Sequence, residues 1–115
     1  MYRYSYAEQL DDDPRECRAR EALALEYAIN LLRLGEDAGS GTKEAFEAAD
    51  FVTRLWNAFI QDLVDPENDL PDTLRADLVS IGIWIIKEAA LIRTRQSQNF
   101  TGVAEICAII RDGLK

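Results

Sequence analysis

Histidine is absent from this chain of 115 residues, and cysteine and proline are scarce. The lack of histidine removes the commonest general base and the commonest transition-metal ligand. Cys17 and Cys107 therefore have no histidine to activate a thiol, and their wide separation matches no metal-binding spacing. We expect small buried thiols at both positions, with a disulfide between them as the open alternative. The composition predicts a protein that is not an enzyme and has no cofactor and no metal site.

Long apolar runs are also missing. The most apolar stretch, residues 78–86, is interrupted by Ser80 and Gly82 and is less than half of the roughly 20 residues that span a bilayer. Tyrosine, arginine and serine occupy the first positions, where a secretory signal would have an apolar segment. We therefore expect a cytoplasmic protein with no membrane insertion.

Basic residues are few relative to acidic ones, with 13 Lys and Arg against 21 Asp and Glu and a net charge of -8. A nucleic-acid-binding protein needs a basic surface to displace counterions from phosphates, so direct binding of nucleic acid is disfavoured. The glycines of segment 35–41 lack the Lys-Ser/Thr pair of a phosphate-binding loop. Segment 65–69 lacks the sharp-turn glycine of a calcium loop and has no closing glutamate at the required spacing. We expect no small-molecule substrate, which leaves a role in binding another protein.

Helical periodicity is abundant, in four segments separated by breaks at residues 35–41, 65–71 and 96–99. We predict that the first helix begins near Asp13, which caps it with Pro14 in the first turn, and ends at Gly35 in a left-handed conformation. The other helices are predicted at residues 42–64, at residues 72–95 and after Asn99. Tyr2, Tyr4 and Tyr6 alternate with polar residues, which describes a short extended arm.

These segments predict an all-α fold, a compact bundle of about four helices with a short N-terminal tyrosine-rich arm. We expect residues 1–115 to form a single helical domain, since the length suits one domain and the helices are joined by short connections.

The third predicted helix differs from the others because it is apolar on two opposed sides. One stripe comprises Leu74, Leu78, Ile81, Ile85 and Ile92, and the other comprises Val79, Ile83, Ile86 and Ala90. A helix of this kind must be covered on both sides. We assign the first stripe to the core, because it is longer and more regular. We predict a partner-binding surface at Val79, Ile83 and Ile86, flanked by Trp84. Gly82, in the middle of this helix, predicts the close approach of another helix.

Five segments together carry a family resemblance. They are Leu55-Trp56, Asn68-Asp69-Leu70-Pro71, Leu74-Arg75-Ala76-Asp77-Leu78, Ser80-Ile81-Gly82-Ile83-Trp84 and Ile109-Ile110-Arg111-Asp112-Gly113-Leu114. With these segments the chain resembles the FlaF family of bacterial flagellar biosynthesis regulators over essentially its whole length. The segment from Ser80 to Trp84 is the most specific of the five. Cys107 departs from the asparagine that the family pattern favours.

The resemblance implies a cytoplasmic factor required for flagellin synthesis and export, which works beside a counterpart called FlbT. In that role the protein would resemble a secretion chaperone that binds flagellin, whose terminal helices are apolar and prone to premature polymerisation. The alternative is a post-transcriptional regulator that acts on flagellin message, alone or through FlbT. The acidic charge opposes direct RNA contact and favours the indirect route. The expected partners are therefore flagellin and FlbT.

Overall fold

A computed structural model of the protein describes residues 14–114, which form four α-helices and contain no β-strand. The helices are α1 (Pro14–Ala38), α2 (Lys43–Val64), α3 (Asp72–Arg93) and α4 (Phe100–Asp112). The predicted all-α fold is confirmed, and the predicted tyrosine arm and the cap at Asp13 lie outside the described residues. Within the described range, no helix combines the length and the apolar character that crossing a membrane requires.

Side-chain caps explain where two of the helices begin. The Thr42 hydroxyl accepts a hydrogen bond from the Ala45 backbone N–H at 3.2 Å, at the start of α2. The Asn99 side chain accepts one from the Gly102 N–H at 3.0 Å, at the start of α4. Each cap satisfies an N–H group that has no partner within its own helix. These starts agree with the sequence prediction because capping is a local property.

The predicted end of α1 at Gly35 is wrong, because the helix continues to Ala38. Gly39 is the residue with a left-handed backbone, at a φ of 100°, and its N–H donates to the Gly35 carbonyl. Gly35 itself is buried, and a Cβ added there would lie 3.0 Å from the Ala45 Cα and 3.1 Å from the Phe100 ring. Glycine at this position therefore allows α1, α2 and α4 to pack closely, and the turn comes one helical turn later.

The helices follow one another around a core, but they do not contact each other equally. α1 packs against α2 and α4, and α2 packs against α3, whereas α3 and α4 make only a small contact. The side chains buried most completely come from all four helices: Leu25, Ile29, Leu32, Val52, Trp56, Ile85, Ile92, Val103 and Cys107. Burying such side chains supplies most of the stability of a domain. The boundary between α3 and α4 is the least closed part of this bundle.

The two cysteines occupy different environments. Cys107 is fully buried, and burial raises the pKa of its thiol to about 11. Cys17 lies near the start of α1 and is only half-buried. No disulfide joins them, and the expectation of a buried thiol is confirmed for Cys107 and wrong for Cys17.

Candidate protein-binding surface

The buried side of α3 consists of Gly82, Ile85, Ala89 and Ile92. The sequence assignment to the core is therefore confirmed for Ile85 and Ile92. Ile81 and Leu78 are half-buried, and Leu74 is exposed, so the assignment of Leu74 to the core is wrong. Leu74 lies in the first turn of α3, and α4 touches α3 too little to cover it.

The contact between α2 and α3 is close because of Gly82. A Cβ at this position would lie 2.9 Å from Cε3 of Trp56 and 3.0 Å from Cδ1 of Ile60. At the start of the same contact, the Arg75 guanidinium donates to the Leu63 carbonyl at 3.2 Å and so ties α3 to the end of α2. The predicted close approach of a helix at Gly82 is confirmed, and the approaching helix is α2.

On its other side, α3 borders an open apolar depression. This depression, which we call the α3–α4 groove, has a volume of about 310 Å³ and is lined by Ser80, Ile81 and Trp84 of α3 and by Ile106 of α4. The lining residues carry no formal charge, and 42% of Trp84 is exposed. α3 therefore packs closely against α2 on the Gly82 side and leaves this groove open on the α4 side.

The four residues of the predicted partner-binding surface differ in their position relative to the α3–α4 groove. Trp84 lines the α3–α4 groove, whereas Val79, Ile83 and Ile86 do not. Val79 and Ile86 are half-buried, and Ile86 packs against the core, while 46% of Ile83 is exposed. Consecutive residues of an α-helix point about 100° apart, so Ile83 and Trp84 face different directions.

Two residues that line the groove, Ile81 and Ile106, were not identified as site residues from the sequence. Ile81 belongs to the stripe assigned to the core, and it is half-buried because it lies at the edge of that stripe. Ile106 lies on α4, and its position beside Trp84 depends on how two helices pack. No spacing within either helix reports this packing, so the sequence offers no signal for the pair.

A larger cleft of about 510 Å³ lies between the start of α2 and the end of α3, and charged as well as apolar residues line it. Lys43, Glu47, Arg93 and Arg95 contribute to its lining. The Arg93 guanidinium lies 4.6 Å from the centre of the Phe46 ring, in a cation–π arrangement that places a charge beside the aromatic surface. An apolar helix therefore fits the α3–α4 groove better than this cleft. Among residues 14–114, no three potential ligand side chains cluster closely enough to hold a metal ion.

Comparison with known families decides the assignment of the chain. The sequence model of a family described as flagellar protein FlaF matches residues 2–114. The chain belongs to the FlaF family. No curated protein and no solved structure matches it. The FlaF match extends over nearly the whole chain, so α3 and its groove belong to the part that defines the family relationship, and a flagellar role follows from it.

In this FlaF-family chain, the segments that carry the resemblance hold helices together and border the groove. Trp56 and Gly82 form the close contact between α2 and α3. Arg111 forms a salt bridge with Glu26 and so joins α4 to α1. Segment 80–84 contributes to both sides of α3, with its glycine in the α2 contact and its tryptophan in the groove.

Proposed function

We propose that this protein is a cytoplasmic flagellin-binding factor, and that it holds an apolar helix of flagellin in the α3–α4 groove. The observation that carries the proposal is an uncharged groove between two helices, lined in part by a tryptophan that is partly exposed. Membership of the FlaF family supports a flagellar role, and the resemblance described above supplies flagellin as the partner. Supporting the synthesis and export of flagellin is the purpose of the complex.

The shape of the groove suits a helix. Its two walls are the helices α3 and α4, and an amphipathic third helix binds such a groove through apolar side chains spaced three or four residues apart. Tryptophan is enriched among the residues that contribute most to protein interfaces, because it offers a large apolar area and few rotamers. Trp84 is therefore the expected centre of the interface. A flagellin helix covered in this way is unable to polymerise before export.

The charge of the protein bears on how the complex responds to salt. The net charge is -8, yet none of the residues that line the groove is charged. Salt weakens interactions between exposed charges and leaves apolar contacts intact. We expect the affinity for flagellin to survive an increase from low to physiological salt, and a loss of the complex over that range contradicts the proposal.

The test compares neighbouring residues on the two sides of α3. Trp84→Ala and Ile106→Ala remove opposite walls of the groove, and each should weaken flagellin binding, with a cost of about 2 kcal/mol or more at Trp84. Ile83→Ala is the matched control, since Ile83 is as exposed as Trp84 but does not line the groove. Binding is measured by calorimetry with purified flagellin, and urea unfolding shows that each variant is folded.

The outcome shows whether flagellin binds in the α3–α4 groove or at the surface predicted from the sequence. If Ile83→Ala abolishes binding and the two groove variants do not, the partner binds at Val79, Ile83 and Ile86 instead. If none of the three variants changes binding, α3 is not the binding element and the proposal is wrong.

Indirect control of flagellin expression through FlbT is the second candidate function. The acidic charge favours an indirect route, because contact with RNA phosphates requires a basic surface. Tagged protein from flagellated cells should capture FlbT without RNA. Tight retention of flagellin message that is lost as salt rises contradicts this expectation and indicates direct binding of RNA.

A further inference from the structure

A second apolar surface lies on α1, on the side that faces away from the core. Six exposed residues follow one another at alternating spacings of three and four, and we call them the α1 outer stripe: Arg20, Leu23, Tyr27, Asn30, Leu34 and Asp37. The three apolar members are 68%, 54% and 56% exposed, in chain order. Alternating spacings of three and four are the pattern by which one helix packs along another.

The rest of the described structure leaves this stripe mostly uncovered. The core residues of α1, such as Leu25 and Leu32, lie on the opposite side of the helix. Tyr27 makes an edge-on contact with Phe51, at 4.9 Å between ring centres, and still exposes about half of its surface. Exposed apolar residues arranged at this spacing mark a surface that packs against another helix.

The order of residues along the stripe indicates which helix this is. When the stripe is laid against a second copy of itself in the opposite direction, Arg20 lies opposite Asp37 and Leu23 lies opposite Leu34. Tyr27 then lies opposite Asn30, and the tyrosine hydroxyl and the asparagine amide are able to hydrogen-bond to each other. The contact between arginine and aspartate occurs at both ends of the two paired helices, because a two-fold axis repeats every contact.

A parallel arrangement lacks this complementarity. Each side chain would then face its own copy, so Arg20 would lie opposite another arginine and Asp37 opposite another aspartate. Like charges placed opposite each other at an interface are unfavourable. Arg20 also contacts the Cys17 sulfur at 3.3 Å, but a guanidinium has five N–H donors and can bind a carboxylate as well.

We propose that a second copy of this chain docks antiparallel on the α1 outer stripe, giving a homodimer with a two-fold axis between Tyr27 and Asn30. The contact extends over 17 residue steps, or about 25 Å of helix. One pair of helices of this length is smaller than a standard stable interface, so the dimer is reversible and forms as the concentration rises. The stripe is separate from the α3–α4 groove, and the dimer does not depend on flagellin binding.

The test is a charge exchange followed by sedimentation equilibrium of the full chain without flagellin. Arg20→Asp and Asp37→Arg each place like charges at both ends of the dimer, and each should raise its dissociation constant about tenfold or more. The double variant restores opposite charges and should recover most of the affinity. Arg54→Asp, an exposed site on α2, is the control, since it changes the net charge as Arg20→Asp does.

A second pair of variants tests the apolar part of the contact. Leu23→Glu should abolish the dimer, whereas Ile109→Glu, at an equally exposed site on α4, should not. Circular dichroism shows that each variant remains helical. A monomer at every concentration overturns the proposal, and so does a dimer that neither Arg20→Asp nor Leu23→Glu weakens. Weakening by both single charge reversals without recovery in the double variant contradicts the antiparallel arrangement.

Discussion

The two sides of α3 show opposite ways of meeting a neighbouring helix. On the α2 side, Gly82 has no side chain, and Trp56 and Ile60 fill the space that a Cβ would need. On the α4 side, Trp84 and Ile106 are large, yet a groove remains between them. A small residue lets α3 approach α2 closely, whereas the side that faces α4 leaves apolar side chains partly exposed.

The two tryptophans should give the largest difference in stability. Trp56 is 1% exposed in the core, so Trp56→Ala should lower the free energy of unfolding by about 3–5 kcal/mol. Trp84 lines the open groove, and Trp84→Ala should cost about 1 kcal/mol, in the range of ordinary substitutions. Urea unfolding measures both. Equal losses contradict the view that the α4 side is open in the free protein.

A pair of isoleucines sharpens the same comparison within one stripe of α3. Ile85 is fully buried, and Ile85→Ala should cost about 2–5 kcal/mol. Ile81 is half-buried at the edge of the groove, and Ile81→Ala should cost clearly less, because little cavity forms where solvent already reaches. The same unfolding experiment applies. A larger loss for Ile81 indicates that α3 and α4 close on each other in solution.

Glycine replacement tests the closed side directly. Gly82→Leu inserts a side chain where Trp56 and Ile60 already fill the space, and it should cost about 1–3 kcal/mol by overpacking. Gly113→Leu is the control, because the nearest atom to a Cβ there is 3.5 Å away and the backbone φ is -79°. Thermal unfolding compares the two. A Gly82 variant as stable as the parent shows that the close contact does not hold α3 in place.

The sequence predicted the features that depend on local chemistry. α2 begins at Lys43 and α4 at Phe100, directly after the capping residues Thr42 and Asn99, where the breaks in the helical pattern predicted the two starts. Gly82 was identified because glycine inside a helix is destabilising unless close packing requires it. Gly35 was misassigned, since a glycine suited to a helix end and a glycine required by close packing look the same in one sequence.

The candidate surface was only partly predictable, for a different reason. Periodicity gives the direction of each side chain around its own helix, so it correctly marked α3 as apolar on two sides. It does not say which neighbour covers each side. In the structure the groove is lined by Trp84 and not by Ile83, and Ile106, a residue of another helix, lines it as well.

The smallest expected effect concerns charge at the contact between α1 and α2. The pKa of the Glu21 carboxyl is raised above its ordinary value. Burial is the larger cause, and repulsion from Asp62 is the smaller one. A carboxyl whose pKa is higher in the folded state binds its proton more tightly there, so its contribution to stability falls as pH rises from the unfolded pKa to the folded pKa. Above that window the charged form remains unfavourable, and Glu21→Gln should stabilise the protein at pH 7.

The quantity compared is the difference in free energy of unfolding between parent and variant, because the protein contains many other carboxyl groups. The gain from Glu21→Gln should shrink as pH falls through the Glu21 window, where the parent carboxyl takes up its proton. Glu105→Gln, at an exposed site on α4, is the control for the loss of one carboxyl group. Urea unfolding at a series of pH values measures both. If Glu21→Gln is less stable than the parent at pH 7, the charged carboxyl stabilises this contact through opposite charges nearby, and the prediction is wrong.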